Sequence, residues 1–242
     1  MVCDSCSQRP DSGRWLQVFS GVLGSRRNLA VQYGPMTIDK AGWPFVLGAA
    51  IPGALAAWLG WFWVAGALGA LALFMLYFFR DPDRVTPADP LAVVSPADGR
   101  VLVAGEAEPA AAPEGAWKQI SIFLSPVDVH INRMPCAGRV AKVVYTPGRF
   151  LAAYNPDSAR VNERNEVWLD CGGQTVVVRQ VVGVLARRLV CRVGPGAEVR
   201  TGDRFGLMKF GSRIDLYLPP RCELKVRVGD RVRSGETVVA TW

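Results

Sequence analysis

Histidine is nearly absent: His130 is the single imidazole in 242 residues. A metal centre built on a histidine cluster is therefore excluded. The six cysteines, Cys3, Cys6, Cys136, Cys171, Cys191 and Cys222, follow no disulfide framework. Cys3 and Cys6 have metal-ligand spacing, but no second pair completes a zinc site, so no metal is expected. Free thiols in a reducing compartment are the plainer account. The chain also lacks a Walker loop, a Gly-x-Gly-x-x-Gly signature, a zincin helix and a Gly-x-Ser-x-Gly elbow. Nucleotide, dinucleotide, metalloprotease and α/β-hydrolase chemistry thus lose their usual markers. The N-terminus shows no basic start, short apolar core and small-residue cleavage site of a signal peptide. The largest gap is in charge, for no charged residue occurs between Lys40 and Arg80.

Half the residues are hydrophobic and the net charge is +7, which sets a nucleic-acid binder against a membrane-surface protein. The position of the apolar residues favours the membrane and no nucleic-acid partner. Trp43 to Phe79 is 37 residues without a charge. One helix of that length would be about 55 Å long, against a hydrocarbon core of about 30 Å. Two helices breaking near Gly60, with Pro52 kinking the first, fit better. Lys40 before the run and Arg80 and Arg84 after it put both ends on the cytoplasmic side, which requires an even number of crossings. A buried hairpin in a soluble protein is the alternative. From Arg80 onward the chain carries 23 Lys+Arg and 18 Asp+Glu, a mild excess suited to an anionic lipid surface. Residues 1–35 have little periodicity and read as a poorly ordered extension, or as sequence upstream of a start at Met36.

Pro82 and Pro87 prevent the helix from continuing, and the pattern changes to short Val-rich runs. They are Ala92–Val94, Arg100–Val103, Gln119–Leu124, Arg139–Tyr145, Glu166–Leu169, Thr175–Val182, Leu189–Val193, Ile214–Leu218, Glu223–Val228 and Thr237–Thr241. Gly, Pro, Asp and Asn separate them, which is the spacing of a sandwich or barrel. Val199 to Arg204 is echoed by Val228 to Glu236, each with a Gly-Asp turn, as in hybrid-barrel domains that carry biotin or lipoate. The hairpin-tip lysine of those domains is missing, so the likeness is one of fold. The expected organisation is an extension over 1–35, a membrane-associated helical hairpin over 36–80, and a mainly β, sandwich or hybrid-barrel-like domain over 81–242.

Residue chemistry alone leaves the site open. His130 suits a proton shuttle near neutral pH or a structural role. Asp98, in the turn Ser95-Pro96-Ala97-Asp98-Gly99, is equally explained by turn formation. Gly211-Ser212 is a turn signal of the kind also present at Gly24-Ser25. Arg187-Arg188 suits a phosphate or a solvated surface.

Four stretches change that reading by occurring together in order: Phe79-Arg80-Asp81-Pro82, Ser95 to Gly99, Phe123 to Pro135, and Lys209-Phe210-Gly211-Ser212-Arg213. From about Met36 to the C-terminus the chain resembles the short, archaeal-type form of the phosphatidylserine decarboxylase proenzyme. The resemblance implies self-cleavage between Gly211 and Ser212. Oγ of Ser212 attacks the Gly211 carbonyl to give an ester, elimination leaves dehydroalanine, and loss of ammonia leaves a covalent pyruvoyl group. The products are a β chain to Gly211 and an α chain from Ser212 to Trp242, associated as a heterodimer and open to a higher homo-oligomer. The pyruvoyl ketone is expected to form a Schiff base with the serine amine of the lipid, and decarboxylation yields phosphatidylethanolamine at the cell membrane without a metal. Carried over, His130 and Asp98 are catalytic. Longer relatives have a second histidine three positions after the first, where this chain has Arg133, a residue that stays protonated and serves poorly as a base. The rival readings are a non-enzymatic membrane-anchored adaptor and a pyruvoyl decarboxylase of a related serine phospholipid.

Overall fold

The computed structural model describes residues 36–155, 157–184, 189–209 and 212–242. Internal contacts divide the chain into residues 1–32 and 33–242. The expectations for residues 1–35, including Cys3 and Cys6, for Arg187-Arg188 and for Gly211 lie outside the described residues.

The uncharged run forms two helices. Strand β1 (Thr37–Ile38) leads into α1 (Trp43–Trp58), whose Pro44 occupies the first turn, where its missing N–H costs nothing. The helix runs on through Pro52. After a turn at 59–61, α2 (Phe62–Phe78) returns to β2 (Arg80–Asp81). The two ends of this hairpin are clamped by β1–β2 pairing, with Thr37 opposite Asp81, and by Asp39 N–H donating to Phe79 O at 2.9 Å. Lys40–Trp58, 19 residues with mean hydropathy 1.3, is long and apolar enough to cross a membrane, while α2 is shorter. The far end of the hairpin is strongly apolar and open: Trp58 is 81% and Trp63 94% exposed. An exposed patch of this kind marks an interaction surface.

The remainder is mainly β. In chain order come β3 (Ala92–Val94), β4 (Gly99–Glu106), β5 (Lys118–Leu124), β6 (Ile131–Arg133), β7 (Gly138–Thr146), a short helix α3 (Ser158–Val161), β8 (Arg164–Asp170), β9 (Thr175–Val181) and β10 (Leu189–Cys191). Then follow β11 (Glu198–Val199), β12 (Arg204–Met208), β13 (Ser212–Leu218), β14 (Glu223–Leu224), β15 (Arg231–Val232) and β16 (Val238–Thr241). The main sheet has the order β11-β7-β8-β9-β13-β5-β4-β15, and two three-stranded sheets, β10-β12-β6 and β14-β16-β3, complete the architecture. Alternate residues Ile120, Ile122 and Leu124 of β5, Val176 and Val178 of β9, and Ile214, Leu216 and Leu218 of β13 enter one apolar core. At about 1.5–3 kcal/mol for each fully buried aliphatic side chain, this core dominates the stability.

The late sequence echo is structural. Asp203 accepts from Arg200 N–H at 2.7 Å and Asp230 from Arg227 N–H at 2.8 Å. Gly202 N–H and Asp203 O bracket Met134, as Gly229 N–H and Asp230 O bracket Val101. Both glycines have positive φ, 85° and 97°, which suits glycine because it has no Cβ to clash. Each turn delivers a strand, β12 or β15, to its sheet, and this twinning is the hybrid-barrel likeness. Two expectations need correction. The Glu223–Val228 run is strand only over Glu223–Leu224, and β6, β11, β12 and β15 arise where no strand was read.

Candidate active site

Ser212 opens β13, the strand held between β5 and β9 in the main sheet. It pairs with Leu124, and Arg213 lies between Phe123 and Val181. Alternation puts Ser212 on the same face as Ile214, Leu216 and Leu218, so its side chain enters the apolar core. Ser212 is fully buried, and among the described residues its Oγ has no hydrogen-bond partner. An unsatisfied buried hydroxyl costs about 1–3 kcal/mol, and such orphans are rare enough to call for a reason. The opposite face of β13 is also buried but polar. Arg213 Nε donates to Asp215 Oδ1 at 2.6 Å and its Nη2 to Ser121 Oγ at 2.9 Å. Nearby, Arg179 bonds Glu166 and the Tyr217 hydroxyl.

His130 follows the loop that leaves β5. Asp128 closes this loop by accepting from Ser125 N–H and Oγ–H at 2.9 and 2.7 Å. The His130 Nδ1 lies 2.9 Å from Asp128 O. A carbonyl can only accept, so Nδ1 carries the proton and Nε2 is the basic nitrogen. The ring packs against Phe78 with centroids 4.1 Å apart and the planes tilted by 32°. Burial pushes the imidazole down to about 4 and outweighs the opposing carbonyl and charge of Asp128, while Arg80 adds to the depression. His130 is therefore neutral at physiological pH. The base of the hairpin forms the floor of this loop, since Val46, Met75, Phe78 and Phe79 pack with Val129, Ile131 and Leu207. Arg80 Nη2 and the Tyr77 hydroxyl both donate to Val127 O, at 2.7 and 3.2 Å.

Asp98 sits in a tight turn closed by Ser95 Oγ–H donating to Ala97 O at 2.6 Å. Its Oδ2 accepts from Arg84 at 2.8 Å and its Oδ1 from Ser234 N–H at 2.7 Å. Burial raises its pKa against the pull of Arg84 and Ser234, and the charge of Asp128 adds to the rise. The next residue, Gly99, is pressed on the Phe123 carbonyl oxygen, where a Cβ would collide. Arg100 and Arg213 flank Phe123 from β4 and β13. Gly99 and Ser212 thus flank Leu124, two strand spacings or about 10 Å apart. The end of β5 accordingly gathers the start of the Ser212 strand, the Asp98 turn and the His130 loop. The carboxylate of Asp98 is engaged by Arg84 and Ser234, and Ser212 Oγ is bonded to neither Asp98 nor His130.

Arg133 is a strut. Its guanidinium reaches Asp81 Oδ1 at 3.1 Å, Pro82 O at 3.0 Å and Gly202 O at 3.1 Å, and it is almost fully buried. Asp81 also takes Arg204 Nε at 2.6 Å. The segment leaving the hairpin is thereby riveted to the β domain, and Arg84 extends the rivet to Asp98 and Glu236. Sequence reasoning missed this use of Arg133, Arg84 and Asp81, because the partners that define it are brought together only by the fold. Cys136 and Cys171 approach each other at 2.7 Å, and this contact, with burial behind it, raises the Cys136 thiol pKa. Among the described residues no three His, Cys, Asp or Glu side chains cluster as metal ligands.

The family model for phosphatidylserine decarboxylase matches residues 71–240. Relatives named phosphatidylserine decarboxylase proenzyme include those of Nitrosomonas europaea, 42% identical over 85% of this chain and 95% of the relative, and Solibacter usitatus, 45% identical over 85% and 97%. The Symbiobacterium thermophilum protein of the same name is 48% identical over 84% of this chain and 94% of its own length. An orphaned serine at the head of a central strand and a match that covers these proenzymes over 94–97% of their own length agree: this chain belongs to the phosphatidylserine decarboxylase family.

Proposed function

We propose that the chain converts phosphatidylserine to phosphatidylethanolamine with a pyruvoyl group that it makes from Ser212 by breaking the Gly211–Ser212 bond. The observation that carries this reading is the buried Ser212 Oγ, which has no hydrogen-bond partner among the described residues although it sits in an apolar core. A hydroxyl retained there at a cost in stability fits a precursor whose side chain is consumed. A membrane adaptor gains nothing from it. When formed, the pyruvoyl group supplies an electrophilic ketone for a primary amine and a sink for the electron pair left by carbon dioxide.

The chain's own residues are assigned as follows. Ser212 provides the nucleophile for cleavage and the atoms of the cofactor, and Gly211 provides the attacked carbonyl. His130, neutral and protonated on Nδ1, offers Nε2 as a proton acceptor and, once protonated, as a donor. Asp98 is a positioning residue that holds Arg84 and the Ser234 backbone, and with them the turn that abuts β5. Phe78, Tyr77 and Arg80 couple the hairpin to the His130 loop, so the reacting end of the domain lies at the membrane-facing side. The hairpin then holds that end at the cytoplasmic surface, flanked by Lys40, Arg80 and Arg84. After cleavage the chain from Ser212 contributes β13, with ladders to β5 and β9 on both sides, and the two chains remain associated as a heterodimer. No metal takes part in this scheme.

The test is conversion of phosphatidylserine vesicles by protein purified in detergent. The wild type yields phosphatidylethanolamine. Ser212→Ala yields none and runs as one uncleaved band near 26 kDa. Cleavage or turnover by Ser212→Ala would refute the assignment.

A further inference from the structure

Three buried amides interrupt the apolar core beside Ser212. Asn165 Nδ2 donates to Gln180 Oε1 at 3.2 Å, and Gln180 Nε2 donates to Asn132 Oδ1 at 2.7 Å. The chain ends in an orphan: Asn132 is fully buried, and its Nδ2 has no partner among the described residues. Its placement is specific. Gln180 pairs with Ile214 on β13, two residues along the same face from Ser212, which makes Gln180 and Ser212 diagonal neighbours about 7–8 Å apart. Asn132 lies on β6 two residues after His130, whose carbonyl continues the β6–β12 ladder by accepting from Met208 N–H. Asn132 therefore shares a face with His130, and the amide relay links β9, the neighbour of the Ser212 strand, to β6, which follows His130. Room for it comes from Gly206, where a Cβ would lie 2.7 Å from Gln180 Nε2.

The other end of the relay reaches a cavity. Asn165 lines a space of about 560 Å3 with Tyr145, Leu189, Val190 and Lys209. Lys209 is three residues before Ser212 and stands over the Phe45 ring of α1 at 4.9 Å. This space is bounded by residues of β7, β8 and β10 and by Lys209, and Asn132 stands at the opposite, fully buried end of the relay.

We propose that Asn132 Nδ2 holds the carboxylate of the serine headgroup at position 212, with Gln180 and Asn165 fixing the amide; this rests on the decarboxylase reading. The chemistry favours a neutral donor. In the reaction the bond from the headgroup carbon to its carboxylate breaks, the electron pair stays on carbon, and carbon dioxide leaves uncharged. A guanidinium would bind the carboxylate strongly before the reaction and oppose that loss of charge. An amide orients the carboxylate with a weaker bond and leaves it free to go.

The test compares headgroups with and without the carboxylate. Purified wild type and Asn132→Asp, in which Oδ1 still accepts from Gln180, are incubated with glycerophosphoserine or glycerophosphoethanolamine and cyanoborohydride. The mass added to the chain starting at residue 212 is followed against concentration. In wild type the serine headgroup should half-saturate at lower concentration. Asn132→Asp should weaken trapping of the serine headgroup about tenfold or more, the size of one hydrogen bond to a charged group, and leave the ethanolamine headgroup within about twofold. Equal shifts for both headgroups, or no shift, would overturn the proposal. So would an Asn132→Asp precursor that melts like wild type but stays uncleaved, because the donor would then serve the peptide oxygen. If Asn132→Asp melts early, Asn132→Ala, which has no donor at this position, replaces it under the same criteria. Wild type that traps neither headgroup would overturn the decarboxylase reading and this proposal with it, whereas trapping without discrimination overturns only the role of Asn132.

Discussion

Replacing Arg133 separates a structural rivet from a cleavage base. In Arg133→Met the methylene volume is largely kept while the guanidinium and its bonds to Asp81, Pro82 O and Gly202 O are lost. Both partners of the ion pair are more than nine-tenths buried by side chain, at 7% and 9% exposure. Removing one partner of a buried pair costs about 3–5 kcal/mol. Asp81 keeps Arg204 at 2.6 Å, so the lower end applies, about 3 kcal/mol. For a chain of this size that lowers Tm by about 6–12 °C. Arg133→Lys, which keeps the charge but not the fork, should fall between the two. The assay is a melting curve in detergent beside a denaturing gel of the same sample. Both variants should be cleaved into two chains at reduced Tm. An Arg133→Met protein that melts within about 2 °C of wild type and remains uncleaved would refute the reasoning, because Arg133 would then belong to the maturation chemistry.

Other outcomes follow from the same geometry. His130→Ala should lose turnover while its precursor is still cleaved, and wild-type turnover would reduce His130 to a packing residue. With the folded-state pKa of His130 near 4 and an unfolded value of about 6.5, the unfolded chain takes up a proton that the native one refuses between those limits. Stability should therefore fall as pH drops from about 6.5 to 4, and His130→Gln should flatten that part of the wild-type curve; an unchanged slope would contradict the burial of the ring. Gly99→Ala should destabilise the precursor by about 1–3 kcal/mol, since its Cβ meets the Phe123 carbonyl in the strand that pairs with Ser212; a neutral result in denaturant titration would show that β4 can shift. The native protein should sediment with membranes and need detergent for release. Recovery in a detergent-free supernatant would leave the exposed Trp58 and Trp63 face to another partner.

Much of the frame was legible from local pattern. The uncharged run yielded two helices because nothing but apolar residues lies between Lys40 and Arg80, and β5, β7, β8 and β9 announced themselves by runs of Val and Ile. The short strands β6 and β12 did not, because Ile131-Asn132-Arg133 and Arg204 to Met208 carry polar, charged or glycine residues whose partners are distant in sequence. The strand holding Ser212 was read as starting at Ile214. Its first two residues join through pairing with Leu124 and Phe123, and its outward face is as buried as its inner one, so alternation gave no signal. Asp98 shows the same limit. Its turn was visible locally, but its engagement with Arg84 and with Ser234, 136 residues away, is tertiary. His130 stood out as the single histidine, Ser212 and Gly211 were singled out by family resemblance, and the burial that makes Ser212 Oγ an orphan could be seen only in the fold.

The central claim concerns one peptide bond, and the mass of the purified protein tests it directly. The account predicts two chains, one ending at Gly211 and one of 31 residues from position 212 to Trp242 whose N-terminus is a pyruvoyl group. That second chain should be refractory to Edman degradation and should change mass on borohydride reduction. A single intact chain with Ser212 unmodified would contradict the account.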